Sequence, residues 1–385
     1  MTRVVGSWHG LGARWAFATA LLLAPAHAFG GDAPPAPAPA TAATADVAAL
    51  RAKAESGDAA AQVAFGMRCA TGDGVAKDEA QGLAWYRKAA AQGSADGQNN
   101  VGVMYATGRG TAKDFGQAAA WYRKAADQGF ARAQRNLAAL YEGGSGVPKD
   151  PAQAAAWYRK AADQKDGAAA YRLAVLYAWG SGVKKDDAQA AVWYRQAGDL
   201  GVIEGDYAFA LLCEAGRGVE KNDVEAAARL RKAAERGHAR AQLRLGYRYT
   251  VGLGVPKDDA LALSWYRKAA DQGNAAAQHG LGLLYLAGRG TAKNEAQAVA
   301  WFGRSALQGY AAGQASLGAA YAGGRGLVAD DVQAWMWTAL AMKQGDANAK
   351  AALDVIEARM KAQDVGKAQK LVRDFVPKVE TPTVK

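Results

Sequence analysis

Apolar positions along this chain return in two alternating helical registers, separated by short glycine-rich breaks. Over 94–129, Val101, Gly102, Met104 and Tyr105 share one face of a helix predicted from about Ala95 to Thr107. Ala118, Trp121, Tyr122 and Ala125 share one face of a second, predicted from about Phe115 to Gln128. Gly108 and Gly110 lie just past the first helix, where a left-handed residue ends a helix at no steric cost. Asp114 stands where the second helix needs its N-cap, and Gly129 ends it.

The same unit then repeats. Its tryptophan falls at Trp85, Trp121, Trp157, Trp193, Trp265, Trp301 and Trp337, always in steps of 36 residues, with Arg229 taking the one skipped place. A fixed period in this range, without drift, means stacked copies of one supersecondary unit. The cap column reads Asp78, Asp114, Asp150, Asp186, Asn222, Asp258, Asn294 and Asp330, and the closing glycine recurs in every unit but one, where Lys165 replaces it. The Gly102 column holds only Gly or Ala, which lets a neighbouring helix come close. Each Trp is expected to fill the space between units, burying roughly 150–250 Å². The recurring Gly-x-Gly is read as a helix stop and not as a phosphate cradle, because no GxGxxG or GKS/T accompanies it.

These columns (small-x-x-x-Leu-Gly-x-x-Tyr-x-x-Gly-x-Gly-Val-x-x-Asp, then Ala-x-x-Trp-Tyr-x-x-Ala-Ala-x-x-Gly) resemble the Sel-one-like repeat (SLR) family. The resemblance implies an all-α fold, a right-handed α-α superhelix or solenoid related to the tetratricopeptide repeats. Eight 36-residue helix-turn-helix repeats are expected over 58–345, with half-repeat caps at each end. Residues 46–57 align with the second helix alone, 346–376 read as C-terminal capping helices, and 377–385 as a tail.

Before the repeats, Arg3 and Arg14 precede an apolar run from Trp15 to Ala24, then Pro25 and the small-x-small site Ala26-His27-Ala28. That pattern is expected to be an export signal over 1–28, cleaved after Ala28; a buried helix or an uncleaved anchor is the other reading. Residues 29–45 read as an Ala/Pro linker. No other segment has the roughly 20 apolar residues of a membrane span. Composition adds little: 50% hydrophobic and 22% charged residues suit a folded chain, and the net charge of +11 favours anionic partners without naming one.

Candidate chemistry is sparse. Cys69 and Cys213 both occupy the column that holds Tyr105 and Tyr141 elsewhere. Four units at roughly 8–10 Å per packed helix separate them by about 30 Å, far beyond a disulfide, so both are expected to be buried thiols. Cysteine-rich SLR proteins link the helices of each unit; this chain lacks those pairs, so the family's association with β-lactam ligands does not transfer. His238 and His279 stand apart with no metal-ligand spacing, and no nucleophile motif has partners in register. Glu142, Glu204 and Glu214 offer no acid–base pair. No cofactor, metal or catalytic residue is expected.

Binding is the remaining role. In the tetratricopeptide relatives the first helix lines a concave groove through its non-packing positions. The matching columns here, those of Asp96, Asn99, Asn100 and Val103, vary from unit to unit. The middle units place Arg132, Arg135, Tyr171, Arg172, Tyr207, Arg240, Arg244 and Tyr247 there, residue types that interface centres enrich. The family implies a non-enzymatic protein–protein interaction scaffold of the cell envelope, periplasmic or secreted, and the Arg and Tyr of these columns predict that it grips an acidic segment of another protein. The alternatives are a cell-wall hydrolase acting on β-lactam or peptidoglycan, and an exported host-interaction factor. A second basic row, the Arg-Lys of each WYRK motif (Arg87-Lys88, Arg123-Lys124, Arg159-Lys160, Arg231-Lys232, Arg267-Lys268), is read mainly as helix-end charge complementation, with Arg123 in reach of Asp127. It could also grip an anionic polymer or a membrane surface. Nucleic acid is not expected, for want of a recognition motif.

Overall fold

A computed structural model describes residues 40–378 of the chain. The expected signal over 1–28, most of the linker and the end of the tail lie outside the described residues. The described residues form nineteen helices and no strand. A single helix, α1 (Ala40–Glu55), leads into eight pairs. In order these are α2 (Ala59–Thr71) with α3 (Glu79–Ala91), α4 (Ala95–Thr107) with α5 (Phe115–Asp127), and α6 (Ala131–Gly143) with α7 (Pro151–Asp163). Then come α8 (Gly167–Trp179) with α9 (Asp187–Asp199), α10 (Ile203–Ala215) with α11 (Asp223–Glu235), and α12 (Ala239–Val251) with α13 (Asp259–Asp271). The last pairs are α14 (Ala275–Ala287) with α15 (Glu295–Leu307) and α16 (Ala311–Gly323) with α17 (Asp331–Lys343). Two capping helices follow, α18 (Ala349–Glu357) and α19 (Ala362–Asp374). The first helix of each pair is helix A below, and the second helix B.

Each helix packs on its partner and on the next pair, so the fold is a solenoid. Neighbouring helices A are also joined directly: Asn136 donates to Asn99 at 3.0 Å, and His279 lies 3.0 Å from Ser316. They make one layer and helices B the other. Helix α1 begins at Ala40, inside the stretch expected to be linker, and its Val47 packs with Phe65 and Trp85 as a cap on the first unit. At the far end Phe375 meets Trp337 edge-on, 5.4 Å between ring centroids. The backbone N–H of Lys378 then donates to the Leu307 carbonyl at 2.8 Å, so the start of the expected tail is tied to α15.

The local signals act where the sequence places them. Asp78, Asp114, Asp150, Asp186, Asn222, Asp258, Asn294 and Asp330 all cap their helix B through the side chain. Gly108 is left-handed, with φ +72°, and closes α4. Gly110 does something further. It too is left-handed, and a Cβ there would overlap the Glu79 carbonyl of the preceding unit. The second glycine of each pair is thus a contact between units and not simply a stop. The small column at Gly102 makes room for a ring of its own unit, since a Cβ there would come 2.6 Å from Tyr122. Burial pushes the hydroxyl pKa of Tyr86, the matching ring one unit earlier, up to about 12.

The tryptophan column is mostly a spine. Trp85, Trp157, Trp193, Trp265 and Trp337 are buried, while Trp121 and Trp301 are half-buried. Arg229 keeps the column's place and its burial.

Candidate functional site

The helix A face of units three to six is built from 13-residue helices held at fixed spacing by the packing columns. Its eight expected residues do not form one patch. Three arginines are committed inside the protein. Arg135 grips both oxygens of Asp166, at 2.8 and 3.1 Å, and the same carboxylate caps α8 through the Ala169 N–H. Arg172 donates to Glu142 at 2.6 Å, and Glu142 also accepts from the Tyr158 hydroxyl at 2.9 Å. Arg244 donates to Glu214 at 2.5 Å, and the buried Arg248 lies 3.0 Å from that carboxylate's other oxygen. Glu142 and Glu214, unassigned on sequence alone, are the counter-charges of two groove arginines one unit away.

The tyrosines are anchored as well. Tyr171 packs against Tyr194 with ring centroids 5.6 Å apart, and burial raises its hydroxyl pKa. Tyr207 stacks on His238 at 4.4 Å; burial lowers the imidazole pKa, and Nδ1 accepts from the Ala241 N–H as the cap of α12. Tyr247 is half-buried against the core. Arg132 and Arg240 are exposed and make no ion pair among the described residues. Their column also carries half-buried Asp96 and exposed Glu204, so this edge shows both signs of charge. A shallow depression of about 490 Å³ lies beside Arg132, lined also by Asp96, Phe130 and Gln164.

Three constellations escape the sequence reading. A glutamine pair ties the two helices of a unit together: Gln92, Gln128, Gln164, Gln308 and Gln344 each donate at 2.8 Å to Gln62, Gln98, Gln134, Gln278 and Gln314, and repetition makes a ladder. Gln134 passes the chain on to the Ala126 carbonyl at 3.2 Å. Two glutamine columns at constant period, one buried on helix A and one at the exposed end of helix B, were the available signal. The second constellation is Arg229, which replaces Trp and binds Asp206 at 3.0 Å, Asp199 at 2.6 Å and Glu225 at 2.8 Å. The third is Arg248, fully buried in a column that is otherwise mostly Leu and paired with Asp223 as well as Glu214.

Cys69 and Cys213 are free and buried, and burial pushes both thiols up in pKa. Among the described residues no His, Cys, Asp and Glu cluster could hold a metal ion, and no helix is long and apolar enough to cross a membrane.

Comparison with known proteins follows the same period. The Sel1 repeat matches at 57–94, 95–130, 131–166, 167–202, 205–238, 239–274, 275–310 and 311–346. No curated protein matches the chain. Among solved structures, a Sel1 repeat protein from Oxalobacter formigenes is 30% identical with a TM-score of 0.58, covering 82% of this chain and 93% of that one. The protective antigen c5321 of uropathogenic Escherichia coli strains, which displays an SLR fold, is 28% identical with a TM-score of 0.54, covering 86% of this chain and 95% of that one. With eight matched units spanning most of its length, the chain belongs to the Sel1 repeat family.

Proposed function

We propose that the chain is a non-enzymatic scaffold that holds a segment of another protein against the helix A face of units three to six. Sel1 repeat proteins are in general protein-interaction scaffolds. The observation that carries the reading for this chain is the division of labour between columns. Packing columns are nearly uniform from unit to unit, while the helix A face differs in each, with Arg132 and Arg240 left open three units apart. The leader at 1–28 supports a place in the cell envelope or outside it, as does the resemblance to a protective antigen. The half-buried Asp96 and exposed Glu204 favour a partner segment of mixed charge over a uniformly acidic one.

Arg132→Glu with Arg240→Glu is the test, because neither side chain makes an ion pair among the described residues. Affinity capture from the envelope fraction should lose its specific partner with the double variant, while the melting curve stays within about 1 °C, as expected for surface substitutions. Unchanged capture discards the groove. Separating cells into cytoplasm, periplasm, membrane and medium tests the location.

A further inference from the structure

The cations of this chain fall into two sets. Several of those on helices A and in the loops are neutralised internally, as Arg109 is by Glu79 at 2.9 Å and Arg217 by Asp187 at 2.8 Å. The Arg-Lys pairs on helices B are not. Among the described residues, none of the five pairs from Arg87-Lys88 to Arg267-Lys268 makes an ion pair. The bond from Arg123 to Asp127 that the sequence allows is not formed; Arg123 donates to the Tyr141 hydroxyl of the next unit instead. Arg87 and Arg231 do the same with Tyr105 and Tyr249, at 2.7 and 2.8 Å. Four of the five lysines sit over their own unit's tryptophan: Lys88 over Trp85 at 3.8 Å, Lys124 over Trp121 at 4.2 Å, Lys160 over Trp157 at 3.9 Å and Lys268 over Trp265 at 4.1 Å, while the unit of Lys232 has Arg229 in place of the ring.

Phenol and indole orient a cation without cancelling its charge. Four of the five units therefore display two full positive charges held against rings, which lowers the entropic cost of binding an anion. Helices B follow one another in one layer, each packed on the helices A beside it, so the pairs form a row along the solenoid. The exposed positions between them are small (Ala120, Ala156, Ser264 and Ala300), allowing close approach. In the same row, a recess of about 300 Å³ brings Arg267 and Arg304 together beside Tyr285, Gln297 and Trp301.

We propose that this row binds a linear acidic polysaccharide laid across successive helices B. The one-dimensional charge, repeated unit by unit and thinned to Arg195 alone in the fourth unit, matches a polymer with repeated anions. Nucleic-acid strands are bound through open aromatic faces, and here the rings lie beneath their cations. A bilayer surface needs apolar side chains to bury, and the exposed positions between the pairs offer Val192 alone. The row is on the opposite layer from the helix A face, so the two sites stand or fall separately.

Binding of the full chain to polygalacturonate and to phosphorylated dextran, over a salt series, tests the proposal; neutral dextran, oligo-dT and phosphatidylglycerol vesicles serve as comparators. Replacing Lys88, Lys124, Lys160 and Lys268 by Gln should weaken polysaccharide binding by about tenfold or more and flatten its salt dependence. Replacing exposed Lys149, Lys184, Lys257 and Lys343 by Gln, an equal loss of charge, should change it by less than about threefold. Affinity should also rise with polymer length until the row is spanned. Equal losses in the two variants, tighter binding to oligo-dT or vesicles, or no binding to either acidic polysaccharide would each overturn it. Circular dichroism of both variants confirms that a loss is not unfolding.

Discussion

Lys165 is, among the described residues, the one besides glycine with a positive φ, +66°, at the turn that every other unit closes with glycine. A side chain in that conformation costs about 1–2 kcal/mol, partly offset because glycine is freer in the unfolded chain. Lys165→Gly should therefore stabilise the protein by up to about 1 kcal/mol in urea denaturation. The two glycines of the loop separate stop from contact. Gly108→Ala meets only the Lys113 side chain at 3.1 Å besides its backbone strain, whereas Gly110→Ala drives into the Glu79 carbonyl. The second substitution should cost at least about 2 kcal/mol more than the first; equal costs would mean that the units can slide apart freely. Both glycines were legible as recurring positions, and the stop was legible as chemistry. The contact was not, because the atom that forbids a Cβ belongs to a residue some thirty places earlier.

At the scale of the helix, the polar residues between layers decide how units respond to pH. His279 on α14 is enclosed by Phe302 and Tyr310, with ring centroids 5.6 and 5.8 Å away, and touches Ser316. Burial without a counter-charge lowers its pKa to about 4, from 6.5. The folded state then binds fewer protons than the unfolded one between those values, so stability is full above about pH 6.5 and falls as the pH drops. His238, also lowered by burial, adds in the same direction. Between pH 7.5 and 5 the loss from His279 should be about 2 kcal/mol. His279→Leu, which copies Leu243 of the preceding unit, should flatten that part of the curve in urea midpoints taken across the range. A curve of the same slope in the variant would show that the imidazole is not what titrates. The sequence placed His279 on a helix A column but gave no depth. Depth follows from the rings of α15 and of the following turn, which fold onto it from later in the chain. The glutamine ladder hid for the opposite reason, its columns being regular but polar, and regular polar columns read as solvated faces until one of the two partners is seen buried.

Across the whole molecule the apolar core is not continuous. Two smaller clusters fill the first units between Val47 and Met104, one runs from Ala118 to Ala226 and one from Ala210 to Val372; the two large ones meet at α10 and α11, where Arg229 stands in the tryptophan column and Asp206 in the glutamine column. Arg229 lies 5.2 Å over the Phe209 ring, held by three carboxylates, and Arg248 repeats a buried ion cluster in the next unit. In a stacked array, stability is a sum of unit terms and nearest-neighbour interfaces, so the weakest interface decides where the array separates. Buried ion clusters contribute little net stability against apolar packing, because desolvation offsets most of the attraction. Arg229→Met alone should cost about 3–5 kcal/mol, since it leaves Asp206 charged, buried and short of a partner. Arg229→Trp with Asp206→Gln restores the columns of the other units and should be neutral or stabilising by up to about 4 kcal/mol. The same pair of changes should merge two steps of urea unfolding, followed by tryptophan fluorescence, into one. If the parent already unfolds in a single step, the charged joint transmits cooperativity as well as the tryptophans do, and its role lies in fixing which unit follows which. If two steps persist in the double variant, the weak interface lies elsewhere, and the discontinuity of the apolar core at Arg229 has no bearing on how the halves hold together.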